Sequence, residues 1–180
     1  MGRSSFELAR QVPEVVGIDF SRGFVRVAKT LVSRGSVRFP LKREGTLTQP
    51  AIARAPSRRI RRRVTFLTGD ALHLPALGRF DLVLAANLLD RVKDPKRLLQ
   101  KVLPFLIRPG GLLLLTSPYT WTKEFTPRSR WLRESFPTIR KLLSPHFRLI
   151  RRHDLPFLLR EHRRKFQLTF ADATLWVRSP

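Results

Sequence analysis

Four short apolar runs, each stopping at a polar residue, constrain this chain more than any other feature. Glu14-Val15-Val16-Gly17-Ile18-Asp19-Phe20 follows a proline and ends at an acid, and Val64-Thr65-Phe66-Leu67 runs into Gly69-Asp70. Phe80 to Ala86 stops at Asn87, and Leu112 to Leu115 stops at Thr116. Runs this brief and this apolar suit strands covered on both faces. Helical spacing fills the intervals. Behind Ser21, which stands at an N-cap position, Phe24, Val27, Ala28 and Leu31 recur until Gly35. Asp94-Pro95 opens a second helix with Leu98, Leu99, Val102, Phe105 and Leu106 as its buried stripe, ended by Pro109-Gly110-Gly111. Ser4 to Gln11 reads as a short helix, and Phe147 to Ile150 and Thr174 to Val177 as further strands. Strand and helix in alternation specify an α/β chain, a parallel sheet with helices on both faces, and 180 residues suit a single domain, 1–180.

Residues 36–62 break the rhythm. They are rich in Arg, Pro, Gly, Thr and Ser and lead into Arg58-Arg59-Ile60-Arg61-Arg62-Arg63. We read them as a basic surface connection and the arginine run as a solvated face.

Composition removes several function classes. The chain has no cysteine, so it has no disulfide, no thiolate metal site and no cysteine nucleophile. Its four histidines lack the spacing of a metal pair, so no metal is expected. Apolar runs such as Phe80 to Leu89 fall far short of the roughly 20 residues that span a bilayer. Glu7, Arg10, Glu14 and Asp19 interrupt the first twenty residues, which therefore lack a signal-peptide core. The reading is a soluble cytoplasmic protein with no membrane partner. The net charge of +23 invites a nucleic-acid partner. However, 28 of the 36 basic residues are arginine, a bias that GC-rich coding also produces, and no recognition motif accompanies it. Nucleic acid is the rival partner, not the expected one.

Ligands of open parallel sheets bind beyond the carboxyl ends of the strands. The residues that matter there are Asp19, Gly69-Asp70-Ala71, Asn87 and Thr116-Ser117-Pro118-Tyr119. A carboxylate ending one strand can accept from both hydroxyls of a ribose, and a second after the next strand can take an exocyclic amine. That is an adenosine-binding pattern without a phosphate loop.

The order of these elements resembles the class I S-adenosylmethionine-dependent methyltransferases. Val16 to Ser21 matches their acidic motif, Thr68-Gly69-Asp70-Ala71 the adenine-side motif, and Phe80-Asp81-Leu82-Val83 and Arg108-Pro109-Gly110-Gly111 two later landmarks. The resemblance implies a Rossmann-like sheet and S-adenosyl-L-methionine as cofactor. Asp19, Asp70 and Ala71 would lie on the adenosine, and Gly2 and Asn87 near the methionine part.

A narrower resemblance rests on Ser117-Pro118-Tyr119-Thr120-Trp121, Glu124-Phe125-Thr126-Pro127-Arg128 and Trp131-Leu132. To these belong Ala85 to Leu89, the tail Leu155 to Glu161, Arg164-Lys165-Phe166-Gln167 and Ala173 to Trp176. Together they resemble the mercaptohistidine N-methyltransferase domain, the C-terminal part of OvoA-type ovothiol biosynthesis enzymes. The resemblance implies a small mercaptohistidine-like substrate methylated on its imidazole, and a functional link to a sulfoxide synthase. Tyr119, Trp121 and Glu124 are the candidates for the imidazole pocket. Against that stand packing of a long loop, for the two aromatics, and surface pairing with Lys123 or Arg128, for Glu124. Arg160 and Glu161 would bind the substrate's carboxylate and amine, or only bridge each other. No catalytic base is assigned.

The chain departs from this family in two places. Where the family opens with an apolar strand and a Gly-rich loop, only Gly2 remains, and Met1 stands where the family has Val. The expectation is a sheet lacking its first strand and that loop, either with a gap between the strands ending at Asp19 and Asn87 or with those two drawn together. Asp90 also stands where the family often has Cys. Two rivals remain: a methyltransferase for another small molecule, and an inactive methyltransferase-like module whose basic surface binds nucleic acid.

Overall fold

A computed structural model describes residues 2–180; Met1, aligned above with a family Val, lies outside the described residues. The chain forms two compact units, Met1–His73 with Arg160–Phe166, and Leu74–Leu159 with Gln167–Pro180.

In the first unit, α1 (Arg3–Leu8) leads to β1 (Val15–Asp19) and α2 (Arg22–Arg34). A hairpin of β2 (Ser36–Glu44) and β3 (Leu47–Arg54) follows, then α3 (Arg58–Arg61) and β4 (Val64–Thr68). β1 and β4 pair in parallel, Val15 opposite Val64 through Asp19 opposite Thr68. Ser21 caps α2 as its sequence position predicts, its Oγ accepting from the Phe24 N–H at 3.2 Å, and Gly35 closes the helix at φ 78°. The buried stripe is Val25, Ala28 and Leu31, while Phe24 is exposed. These three pack with Phe6, Ala9, Val64 and Phe66 into the unit's core. Phe6 meets Phe66 edge-on, ring centroids 5.8 Å apart.

Residues 36–62 are more ordered than a surface connection. Val37, Phe39 and Leu41 alternate with Ser36, Arg38, Pro40 and Lys42 in β2, and Gly45 supplies φ +47° at the turn. Pro40 faces Pro50 across the hairpin. A two-stranded ribbon tolerates this, because each strand turns only alternate N–H groups inward. Prolines in both strands are what hid the hairpin from a pattern search. Nor is the arginine run wholly solvated. Arg63 donates to the Ala9 carbonyl at 3.1 Å, and the Arg61 guanidinium lies where a Cβ on Gly35 would be.

The second unit contains β5 (Phe80–Ala86) and a helical stretch of α4 (Pro95–Arg97), a π-helical turn (Leu98–Val102) and α5 (Leu103–Leu106). β6 (Ile107–Ser117), α6 (Ser135–Leu143), β7 (Phe147–His162) and β8 (Lys165–Arg178) follow in sequence, the tip Arg160–Phe166 being counted with the first unit. Asp94 Oδ1 caps the stretch through the Arg97 N–H at 3.0 Å. The π-turn precedes Pro104, which has no N–H to close a regular turn and would clash with the carbonyl four residues back. Leu98, Leu99 and Leu103 are buried and Phe105 is exposed, so that stripe is rotated from the sequence reading.

The sheet order is β5-β6-β8-β7. β5 and β6 are parallel, but β6 and β8 are antiparallel, Leu112 opposite Val177 through Ser117 opposite Asp172. The expected all-parallel sheet is therefore corrected to a mixed one. β7 and β8 are longer than read, separated only by Arg163 and Arg164, and a connection that short reverses the chain. Among the described residues β1 has one strand neighbour, β4, and β5 has one, β6. Their Val15, Val16, Ile18, Val83 and Leu84 are half-buried rather than buried.

Candidate functional site

In the first unit, parallel pairing brings the carboxyl ends of β1 and β4 side by side, the Gly69 N–H donating to the Asp19 carbonyl at 3.1 Å. Asp19 is exposed there. Its Oδ1 accepts from the Ser21 N–H at 2.8 Å, and Oδ2 has no partner among the described residues. Asp70 folds into its own turn, with Oδ1 accepting from the Leu72 N–H at 2.9 Å and Oδ2 lying 3.0 Å from His73 Nδ1. The second Asp19 oxygen keeps its lone pairs for a ligand. Ala71, beside Asp70, is half-buried. Gly2 adopts φ +72° at the start of α1, and a Cβ there would lie 2.7 Å from the Phe66 ring.

In the second unit, Asn87 ends β5 in the left-handed region, φ 50°. Its N–H donates to the Thr116 carbonyl at 2.9 Å and its Oδ1 accepts from the Thr116 hydroxyl at 3.0 Å. The Asn87 side-chain NH₂ has no partner among the described residues and remains a donor.

The loop after β6 hangs on two buried acids. Asp90, fully buried, accepts from the Thr120 hydroxyl at 2.9 Å, from Arg91 at 3.1 Å and from the Ser117 hydroxyl at 3.4 Å. Asp172, 8% exposed on β8, accepts from the Tyr119 hydroxyl at 2.7 Å and from Arg152 Nε at 2.9 Å. The Arg152 guanidinium lies 3.6 Å from the centre of the Phe136 ring. Burial first, then the hydrogen bond to Asp172, raises the Tyr119 phenol above its ordinary range, and that same carboxylate raises Arg152. Tyr119 is thus no base at neutral pH. Every hydroxyl in Ser117-Pro118-Tyr119-Thr120 is bonded to a buried carboxylate.

The other loop candidates are held less tightly. Trp121 is half-buried and its indole N–H reaches the Ser135 hydroxyl at 3.4 Å. Glu124 is exposed, and among the described residues it pairs with neither Lys123 nor Arg128. Arg160 and Glu161 do not bridge each other. Glu161 pairs with Lys165 at 2.7 Å, and Arg160 lies over the Phe166 ring, 5.7 Å from its centre, both near the β7–β8 turn.

Sequence reasoning passed over Asp172 and Arg152 and noted Asp90 only as a departure. The signal for Asp172 was present. It is the one acid in Ala171-Asp172-Ala173-Thr174, a stretch buried throughout. A charged residue inside a strand core needs a partner.

Residues 1–115 match the family described as methyltransferase domain. The chain belongs to this family. It is a class I, S-adenosylmethionine-dependent methyltransferase domain of Rossmann-like α/β fold. Solved structures agree on the fold. One described by the conversion of a disulfide bond into a thioacetal group during echinomycin biosynthesis is 18% identical, covered over 71% of its length against 99% of this chain, TM-score 0.66. An S-adenosylmethionine-dependent methyltransferase from Methanosarcina mazei is 17% identical, with 99% of this chain and 88% of that one covered, TM-score 0.62. The N-methyltransferase NodS from Bradyrhizobium japonicum WM9, in complex with S-adenosyl-L-homocysteine, is 15% identical over 99% and 73% of the two chains, TM-score 0.56. Comparison with curated proteins gives no match. Among the described residues no helix is long and apolar enough to cross a membrane.

Proposed function

We propose that this methyltransferase acts on an imidazole nitrogen of a thiol-bearing histidine, as in ovothiol biosynthesis, in the cytoplasm, in functional association with a sulfoxide synthase, and as one domain. The observation that carries the reading is the loop Ser117 to Trp121, whose tyrosine and tryptophan follow the central strand β6 and whose hydroxyls are all fixed by buried acids. A pre-set loop of this kind suits a small planar acceptor, because transfer to nitrogen needs placement more than covalent help.

When bound, S-adenosyl-L-methionine supplies an activated methyl group. The residues present fit its adenosine end, since Asp19 Oδ2 is exposed and unpartnered beside Asp70 and Ala71. Gly2 and Asn87 are assigned to the methionine part, where the Asn87 NH₂ is an available donor. Tyr119 and Trp121 are assigned to the imidazole, with Glu124, Arg160 and Glu161 as further substrate contacts. The acceptor nitrogen gives up its proton on methylation, and no residue is assigned as its base.

The test is incubation with S-adenosyl-L-methionine and either 2-mercaptohistidine or histidine, followed by mass spectrometry. A methylated product from mercaptohistidine alone supports the reading. Turnover of other amines without mercaptohistidine moves the assignment to another small molecule. The +23 charge supports a second reading, an inactive module that binds nucleic acid. It requires DNA binding that weakens steeply with salt and no affinity for the cofactor.

A further inference from the structure

We propose that Asp172 fixes the hydrogen-bond direction of Tyr119, so that the phenolic oxygen meets the acceptor substrate only as a hydrogen-bond acceptor and the site selects ligands that present an N–H. The ligand half of this proposal rests on the reading of the Ser117–Trp121 loop as the acceptor site.

A phenol has a single proton to donate. In this structure it goes to Asp172 Oδ2 at 2.7 Å. Both Asp172 oxygens act as acceptors here, Oδ2 from the phenol and Oδ1 from the Arg152 Nε–H at 2.9 Å. The direction is therefore set by the pair and not by the ligand. What remains on the Tyr119 oxygen is lone-pair density, which suits the N–H of an imidazole or amine and repels a carbonyl or carboxylate oxygen. Backbone geometry keeps the ring in place, since Tyr119 sits at φ 54° with its N–H bonded to the Ser117 hydroxyl at 3.1 Å. The charged groups that act on the phenol are Asp172 and Asp90, which hold its proton, and Arg152, which opposes them.

The chain contains one tyrosine, so tyrosinate absorbance in the ultraviolet reports Tyr119 alone. In the folded wild-type protein, followed in parallel by circular dichroism, no tyrosinate should appear near pH ~10, where a free tyrosine titrates. In Asp172→Asn, where Arg152 is no longer opposed by the carboxylate, the onset should move down by at least about one pH unit. A wild-type phenol that titrates near pH ~10 while folded overturns the proposal, and needs no variant that might fail to fold.

The ligand arm uses calorimetry with imidazole-2-thione, which has two N–H groups, and its 1,3-dimethyl counterpart, which has none. The wild type should favour the N–H form about tenfold, and Tyr119→Phe should erase the preference, as expected for one hydrogen bond. Equal affinities overturn the selection. Binding of neither probe, with the phenol still high, overturns the ligand half together with the acceptor-loop reading. Methylation of mercaptohistidine by a protein whose phenol titrates ordinarily overturns the role of Asp172 and leaves the proposed function standing.

Discussion

Asp19 shows what a single position can decide. Its carboxylate is exposed at the end of β1, with one oxygen tied to the following turn and one left over. Replacement by alanine should weaken S-adenosyl-L-methionine binding by about 1.5–3 kcal/mol, the range of charge-assisted hydrogen bonds, as read by calorimetry. Unchanged affinity would remove Asp19 from the ribose site. Tyr119 makes a prediction about pH. Its proton is held more tightly in the folded chain than in the unfolded one, so the stabilisation is fully present below the unfolded value of about 10 and is lost as pH rises above it. Urea midpoints should fall more steeply above pH ~10 in the wild type than in Tyr119→Phe. Gly17 carries a third. A Cβ there would lie 2.6 Å from the Phe66 ring and 2.9 Å from the Ser5 hydroxyl. Gly17→Ala should cost about 1–3 kcal/mol by overpacking, seen as a lowered Tm. Asp19 was legible because it ends an apolar run. Asp172 was not, because its partners Tyr119 and Arg152 stand 53 and 20 residues away in sequence.

Among the elements, those with local signals were the legible ones. Ser21 and Gly35 bound α2 because a hydroxyl acceptor and a left-handed closing residue satisfy the helix ends from within the segment. Ser21→Ala should therefore cost about 0.5–2 kcal/mol in thermal or urea unfolding. A loss well below that range would mean that backbone groups or solvent satisfy the Phe24 N–H equally well. The β2–β3 hairpin was illegible for the opposite reason. Its apolar alternation is overlaid by prolines that normally mark the absence of a strand, and their tolerance depends on the partner strand. The antiparallel entry of β8 was missed because it follows from the length of β7 and β8. Arginine-rich flanks such as Arg151-Arg152 and Arg163-Arg164 do not read as strand, yet the strands run through the first pair and up to the second. The rotated stripe of α4 and α5 has a local cause that a fixed helical period does not represent, the π-turn ahead of Pro104.

At the scale of the molecule, the charge and the sheet edges act together. Fold class and cofactor were legible because strand ends and family landmarks are properties of short segments, whereas the acceptor loop's geometry depends on acids contributed by two other segments, Asp90 and Asp172. The charge of +23 carries no such positional information, but it has a physical consequence. β1 and β5 each have an edge with no ladder among the described residues, and their apolar side chains are only half-buried. Unpaired apolar edges template association between copies. A charge this large opposes that approach through repulsion that acts over roughly 30 Å at 0.01 M salt but only about 3 Å at 1 M. Added salt should therefore promote self-association, measured as a rise in scattering mass between low and high sodium chloride at fixed protein concentration. Binding to DNA through the same charge would respond in the opposite sense, weakening as counterions are supplied. A mass that stays constant across that range would show that the edges of β1 and β5 are not available to a second copy, and would shift attention to whatever protects them.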